Sequence, residues 1–341
     1  MQQTLFPQPL GDSDSVRDAS DVLVEPATID PALAELASGL PPKLHLGTSS
    51  WNYPGWTELV WAQNYPEAIL SRFGLPAYAK HPLFRTVSLD RGFYRPLTVM
   101  QFTDYATQVP AGFRFMVKAP SLVTDIVVRS GSGRGNRPND RFLDAACALR
   151  EFVEPALQGL GDKLGVLVFQ ISPLPVSQLV RIPELIDRLH ALLRAFPDFH
   201  STAPEAVVAV EVRNPEWLIP SFTQALRDTG ATYCIALHAK MPRIDEQLPI
   251  LRALWPGPLV CRWNLNPVHG AFGYEEARQV YAPYNRMVDP DPKTRAVLAR
   301  VISGTIGAGQ LAYVSLSNKA EGCAPLSVIA LAESVHRLQT P

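Results

Sequence analysis

Eight short apolar runs recur along residues 44–317, nearly all ending in a polar or charged residue. They are LHLGTSS (44–50), FRTVSLD (84–90), FRFMVKA (113–119), LGVLVFQIS (164–172), AVVAVEVR (206–213), TYCIALH (232–238), LVCRWN (259–264) and LAYVSLS (311–317). Near-continuous hydrophobicity of this length suits strands covered on both faces in a parallel sheet. Helix-patterned segments fill the gaps, as strand–helix–strand units require. Eight such units build an α/β fold of the (β/α)8 TIM type, whose chemistry gathers at the C-terminal ends of the strands. Those ends carry Ser49, Asp90, Lys118, Gln170, Glu211 with Arg213, His238, Arg262 with Asn264, and Ser317 with Asn318.

One barrel absorbs residues 43–341 as a single domain. Residues 1–42 stand apart as an acidic, flexible, disordered N-terminal extension. Their first 40 positions hold seven acids (Asp12, Asp14, Asp18, Asp21, Glu25, Asp30, Glu35) against Arg17, a charge of −6 in a chain of net −1, so the rest carries +5. Within the extension, residues 29–39 are compatible with a short helix. Further helices are expected over 141–157, 183–196, 219–230 and 325–338, with Pro183 in a first turn and Gly230 as a C-terminal cap. No apolar run reaches the ~18 residues of a membrane span, and no basic segment leads into an apolar stretch at the start. Cys147, Cys234, Cys261 and Cys323 are far apart and form no CxxC pair. Together these features point to a cytoplasmic protein with no membrane partner and no disulfide framework.

In VAVEVRNPEW (208–217), alternation puts Glu211 and Arg213 on one strand face. A carboxylate beside a guanidinium serves as an acid/base and anion clamp, or as a structural ion pair. Lys118 and Arg262 end two further strands, so three cations would focus a positive field suited to phosphate or carboxylate ligands. GTSSWNYPGW (47–56) offers Trp51, Tyr53 and Trp56 as a stacking wall or as packing over the barrel top. Asp90 leads into RGFYRP (91–96), where Tyr94 supplies a hydroxyl to the site or caps the barrel. Asp90, Asp125, Glu211 and His238 are the residues a metal would need, but no HxH or HExxH spacing accompanies them, and no metal is expected. The stretch 129–141 carries Arg129, Arg134, Arg137 and Arg141 among glycines: a phosphate-gripping loop, or a solvated one. It lacks the GK[ST] ending of a P-loop. Nothing in the chain specifies a cofactor.

From residue 44 to residue 338 the chain resembles the domain-of-unknown-function-72 (YecE-like) family of TIM-type barrels. GTSSWNYPGW resembles its opening GTSGWxYxxW, and TVSLDRGFYRP (86–96) its TVExNxTFYRxP. GFRFMVKAP (112–120), LGDKLGVLVFQISP (160–173), VAVEVRNPEW and NKAEGCAPLSVIAL (318–331) are similar to its later motifs. The resemblance implies that a surviving site draws on Trp51, Tyr94, Lys118, Gln170, Glu211, Arg213, Arg262 and Asn318. Departures are Ser88 for the usual Glu, Asp90 for Asn, Asp125 for His and Asn214 for His. Arg262-Trp263-Asn264-Leu265 replaces RLHG, and the Asp common at the sixth-strand end is not evident in Ala236-Leu237-His238. The family has no settled reaction, and a likeness to TIM-barrel DNA-repair endonucleases is one of fold.

Residues 2–6, QQTLF, resemble the sliding-clamp binding motif of bacterial clamp partners, with Gln2 as the glutamine and Leu5-Phe6 as the hydrophobic anchor. Three functions follow. The first is an anion-binding mouth for a phosphorylated ligand or nucleic acid, possessed by an enzyme of phosphodiester or DNA-repair type; Glu211, Lys118 and Asp90 would be catalytic, and Trp51, Tyr94, Gln170, Arg213, Arg262 and Asn318 would bind. The second is a non-catalytic module recruited to DNA through QQTLF. The third is a carbohydrate-active hydrolase using Asp90 and Glu211.

Overall fold

In a computed structural model of the chain, which describes residues 23–129 and 135–339, all eight apolar runs are strands of one closed parallel barrel. The strands are β1 (Leu44–Thr48), β2 (Thr86–Leu89), β3 (Arg114–Lys118), β4 (Leu164–Gln170), β5 (Val207–Glu211), β6 (Thr232–Leu237), β7 (Leu259–Trp263) and β8 (Ala312–Leu316). Each pairs with its neighbour in sequence, and β1 closes the ring against β8 through the register Leu44↔Ala312 to Thr48↔Leu316. The pleat sends alternate residues inward. Met116, Val166, Val168, Val207, Ala209, Cys234, Val260 and Tyr313 form a packed interior plug. The intervening residues face an outer layer of helices in the main apolar core. Gly47 is fixed by close approach, since a Cβ there would lie 1.8 Å from the Thr86 carbonyl oxygen.

Helix α1 (Pro31–Ser38) precedes the barrel. The helices α2 (Glu67–Phe73), α3 (Val99–Ala106), α4 (Glu154–Leu160), α5 (Ile182–Arg194), α6 (Pro220–Thr229), α7 (Ile244–Ala253), α8 (Pro292–Gly307) and α9 (Ala324–Gln339) follow β1 to β8 in turn. Their local chemistry explains their limits. In α5, Leu185, Ile186, Leu189, Leu192 and Leu193 are buried as one stripe behind Pro183 in the first turn. Gly230 ends α6 at φ 68°, a left-handed cap. The helix expected from residue 141 starts at Ala145 instead, because the Asp144 carboxylate accepts the Cys147 N–H (2.6 Å) and caps it there. Part of the arginine-bearing stretch, Gly135–Pro138, pairs with Val127–Arg129 as an antiparallel ribbon.

Composition placed residues 1–42 outside the fold, yet residues 23–42 pack onto it. Val24, Ala27, Ala37 and Leu40 are buried. The Ala27 N–H donates to the Val60 carbonyl. Asp30 caps α1 through the Ala32 N–H (2.9 Å). Arg85 donates to the carbonyls of Ala37 (2.9 Å) and Pro41 (2.7 Å), holding the C-terminal end of α1 to the barrel. The acidic composition of the whole segment misled because residues 23–42 are themselves largely apolar, with Glu25, Thr28, Asp30, Glu35 and Ser38 as their polar side chains, and the buried ones dock on the barrel. QQTLF lies outside the described residues. Among those described, no helix is long and apolar enough to cross a membrane, and all four cysteines are free and buried.

Candidate functional site at the barrel mouth

The last inward position of each strand stands at the mouth, and there the polar residues interlock. Register places Gln170 beside Glu211 and Arg262 between Ala236 and Ser315. Arg262 is 2% exposed and spans the opening: Nη1 donates to Glu211 Oε2 (2.8 Å) and to Gln170 Oε1 (3.1 Å), and Nη2 to Asp90 Oδ2 (2.5 Å). Arg213 Nη2 donates to the same Gln170 oxygen (3.1 Å) and makes a charge contact with Glu211 Oε1 (2.5 Å) too poorly angled for a good hydrogen bond. Glu211 is wholly buried with a guanidinium against each oxygen. Its first role is therefore to hold the two arginines in place. Asp90 also accepts from the Ser88 hydroxyl (2.7 Å). Burial opposes its ionisation, but Arg262, Lys118 and that hydroxyl outweigh burial and hold the carboxyl below its usual range.

Lys118 is the group this network leaves uncommitted. Its ammonium lies 3.7 Å from the centre of the Phe93 ring, a cation–π contact. It has no hydrogen-bond acceptor or ion-pair partner among the described residues. Burial pushes the amine down to about 8; Asp90 and Glu211 oppose the shift, while Arg262 and Arg213 add to it. The mouth thus holds three cations (Lys118, Arg213, Arg262) and two carboxylates (Asp90, Glu211), a net +1 centred on an amine.

A second buried amine lies beside Tyr274 and Tyr284. Lys319 follows β8, is 5% exposed, and lies 5.8 and 5.7 Å from the Tyr274 and Tyr284 ring centres. Burial, helped by Arg278 and opposed by Glu275, lowers it to about 8. Tyr274 connects the two regions: it bonds to Arg213 and lies 5.2 Å from the His238 ring. His238 Nδ1 accepts the Lys240 N–H (3.0 Å), and burial with Arg213 and Lys240 depresses the ring to about 3, so it is neutral at physiological pH.

Asp90, Lys118, Gln170, Glu211, Arg213 and Arg262, all anticipated from strand ends, come together here. Three other anticipated residues do different work. Trp51 is buried, donates its indole N–H to the Leu70 carbonyl (3.1 Å), and only borders a small depression beside Asp90. Asn318 accepts from Trp56 Nε1 (3.1 Å) and from the Ala324 N–H (2.8 Å), stapling the first and last loops. Tyr94 is 53% exposed, edge-on to Phe93. In the FYRP motif it is therefore Phe93 that covers the amine. Phe93, Tyr274, Tyr284 and Lys319 were not singled out from the sequence. Tyr274 opens a short helix and Tyr284 lies in the loop after it, so neither follows a strand period, and Lys319 was hidden beside Asn318 within NKAEG. Asp125 is buried at the base of the antiparallel ribbon, its side chain accepting the Val127 N–H. Among the described residues no three His, Cys, Asp or Glu side chains converge as a metal would need. A cavity of about 640 Å³ lies between α7 and α8, lined by Leu251, Trp255, Val297 and Val301. It is distant from the strand C-terminal ends and apolar, so its size does not make it the site; the buried charge network is the stronger indicator.

A closed barrel of eight parallel strands with its buried charges gathered at the strand C-terminal ends defines a TIM-type barrel protein. The chain belongs to the family described as "Protein of unknown function DUF72", which matches residues 45–341. A DUF72 family protein from Enterococcus faecalis V583 is similar at TM-score 0.53 and 15% identity, over 86% of this chain and 95% of that one. A DUF72 family protein from Thermotoga maritima MSB8 is similar at TM-score 0.53 and 18% identity, over 85% and 98%. At these identities the likeness concerns the fold alone. No curated protein matches the chain.

Proposed function

We propose that the barrel mouth binds a phosphorylated or otherwise anionic small ligand, with Lys118 and Lys319 as its cationic contacts. One observation carries this reading: Lys118 at the mouth and Lys319 on the far side of Tyr274 are both buried amines, and neither has a carboxylate partner among the described residues. Burying an unpaired ammonium is costly, and groups perturbed in this way gather at functional sites. An anion entering the mouth would supply the missing counter-charge. Phe93, Tyr274 and Tyr284 add ring faces on which a base or sugar would stack, so a nucleotide or a nucleic-acid strand end fits this chemistry. The arginines contribute field rather than an open fork, since Asp90, Glu211 and Gln170 already occupy them. A carbohydrate hydrolase has less support: both of its carboxylates bind the same guanidinium, and Asp90 is held ionised, whereas a catalytic acid needs a raised pKa.

Calorimetric titration with inorganic phosphate, mononucleotides and a short single strand tests the reading. Lys118→Ala and Lys319→Ala should each weaken phosphate binding by roughly tenfold, the loss of one charge-assisted contact. Unchanged affinity in both folded variants would overturn it.

A further inference from the structure

We propose that Lys118 is a covalent site: its side-chain nitrogen condenses with the carbonyl carbon of an anionic aldehyde or ketone to form an imine. The inference rests on the anion-binding reading for the substrate's charge, and it adds a reaction. Four observations carry it. The nitrogen stands at the C-terminal end of β3, where barrel chemistry occurs. It is held over Phe93 at 3.7 Å and bound to no carboxylate among the described residues. Asp90, fixed by Arg262 and Ser88, is the charge that most strongly affects it. The charged groups acting on it, Asp90, Glu211, Arg213 and Arg262, sum with it to +1, which suits a carbonyl compound bearing an anion. Burial adds to this. With its pKa lowered to about 8, about a tenth of the amine is free base at pH 7, against well under one in a thousand for an ordinary lysine.

The step balances without a further reactant. The amine lone pair attacks the carbonyl carbon, forming the C–N bond, while the carbonyl π electrons go to oxygen. A proton passes from nitrogen to that oxygen, with the Asp90 carboxylate as the nearby base. A second proton, taken from bulk water, goes to that oxygen, the C–O bond breaks to release water, and a protonated imine remains with its positive charge near Asp90 and Glu211. Lys319 lacks such a setting: the one carboxylate acting on it is that of Glu275, on the exposed face of the short helix Tyr274–Tyr281, so it is assigned to anion contact alone.

Reductive trapping tests the assignment. The full chain is incubated with glyceraldehyde 3-phosphate and sodium cyanoborohydride near pH 7, and its seven lysines are mapped by peptide mass spectrometry. Lys118 should be alkylated at least about tenfold faster than exposed Lys80 and Lys293. Lys118→Arg, whose guanidinium forms no imine, should lose that adduct. Adducts spread over the exposed lysines, with none in excess at Lys118, would overturn the imine, and the native chain alone gives that answer. Added inorganic phosphate separates the two readings. If it slows trapping by the phosphorylated aldehyde, both stand. If Lys118 is trapped equally fast by uncharged glycolaldehyde and phosphate gives no protection, the imine stands and the anion site fails.

Discussion

Replacing Glu211 by Gln should destabilise the protein severely while preserving its shape. The carboxylate is wholly buried, with Arg213 at 2.5 Å on one oxygen and Arg262 at 2.8 Å on the other. A carboxamide fills the same volume but carries no charge, so the mouth goes from net +1 (three cations, two anions) to +2 (three and one). Arg262 keeps Asp90; Arg213 keeps only the Gln170 oxygen and the Tyr274 hydroxyl. Stripping one partner from a buried ion pair costs about 3–5 kcal/mol, because the remaining charge is stranded away from water. At about 1.5 °C per kcal/mol for a domain of roughly 300 residues, Tm should fall by about 4–8 °C. Differential scanning calorimetry and urea unfolding measure it. Adding Arg213→Met to Glu211→Gln restores net +1 and should recover about half of the loss, a coupling expected of contacting residues. Removing the exposed Arg181–Glu184 pair by Glu184→Gln should leave Tm unchanged within error. A loss below about 1 kcal/mol for Glu211→Gln, or no recovery in the double variant, would refute the account of Glu211 as the central counter-charge.

Two further expectations concern buried titrating groups. Lys118→Met removes an ammonium that the fold disfavours, so stability at pH 7 should rise by about 1–3 kcal/mol. The native amine loses its proton near 8 when folded but near 10.4 when unfolded. The native chain therefore gains stability between those values, and the variant's advantage should shrink from pH 8 to 10; a lower Tm for the variant at pH 7 would refute this. His81 is 3% exposed, stacked 3.8 Å from the Phe84 ring, and lowered by burial to about 4. Folded below its unfolded value of ~6.5, it contributes stability present above that value and lost as pH falls toward 4. His81→Phe should therefore show a flatter fall of Tm between pH 6.5 and 4, and an unchanged slope would count against it.

The barrel was legible because each of its strands is covered on both faces, which leaves unbroken apolar runs that surface strands lack. The position of the strand-end polar residues was legible for the same reason: the first polar residue after such a run must sit at the mouth. Glu211, Arg262, Gln170 and Lys118 were found that way. What escaped came from loops, where side-chain direction follows turns rather than a period. Tyr94 and Phe93 are adjacent, and only the 3₁₀ turn at Arg91–Phe93 decides that the phenylalanine covers Lys118. Trp51 and Asn318 are polar-tipped and conspicuous, yet their hydrogen bonds go to Leu70, Trp56 and Ala324, holding loops to the barrel. Sequence also could not show that Arg262 reaches from β7 to Asp90 on β2, a pairing 172 residues apart.

That pairing explains why the departures from the family pattern are not simple losses. Where the resemblance expects Glu at 88 and Asn at 90, this chain has Ser88, in β2, and Asp90, the first residue after it. The carboxylate has moved toward the opening, where it meets Arg262, and the shorter Ser88 leaves room to donate to it. Asn214, in place of a histidine, bonds both the N–H and the carbonyl of Leu174, so it shapes a loop rather than titrates. Asn264 likewise turns back to the Arg262 carbonyl. The substitutions remove titratable groups around the mouth but leave a part-buried carboxylate just after β2 to face the guanidinium of β7. With Asp90 and Glu211 both turned to the arginines, Lys118 is left beside them with no carboxylate pairing it among the described residues, which is why the proposal turns to an amine of this mouth rather than to its acids.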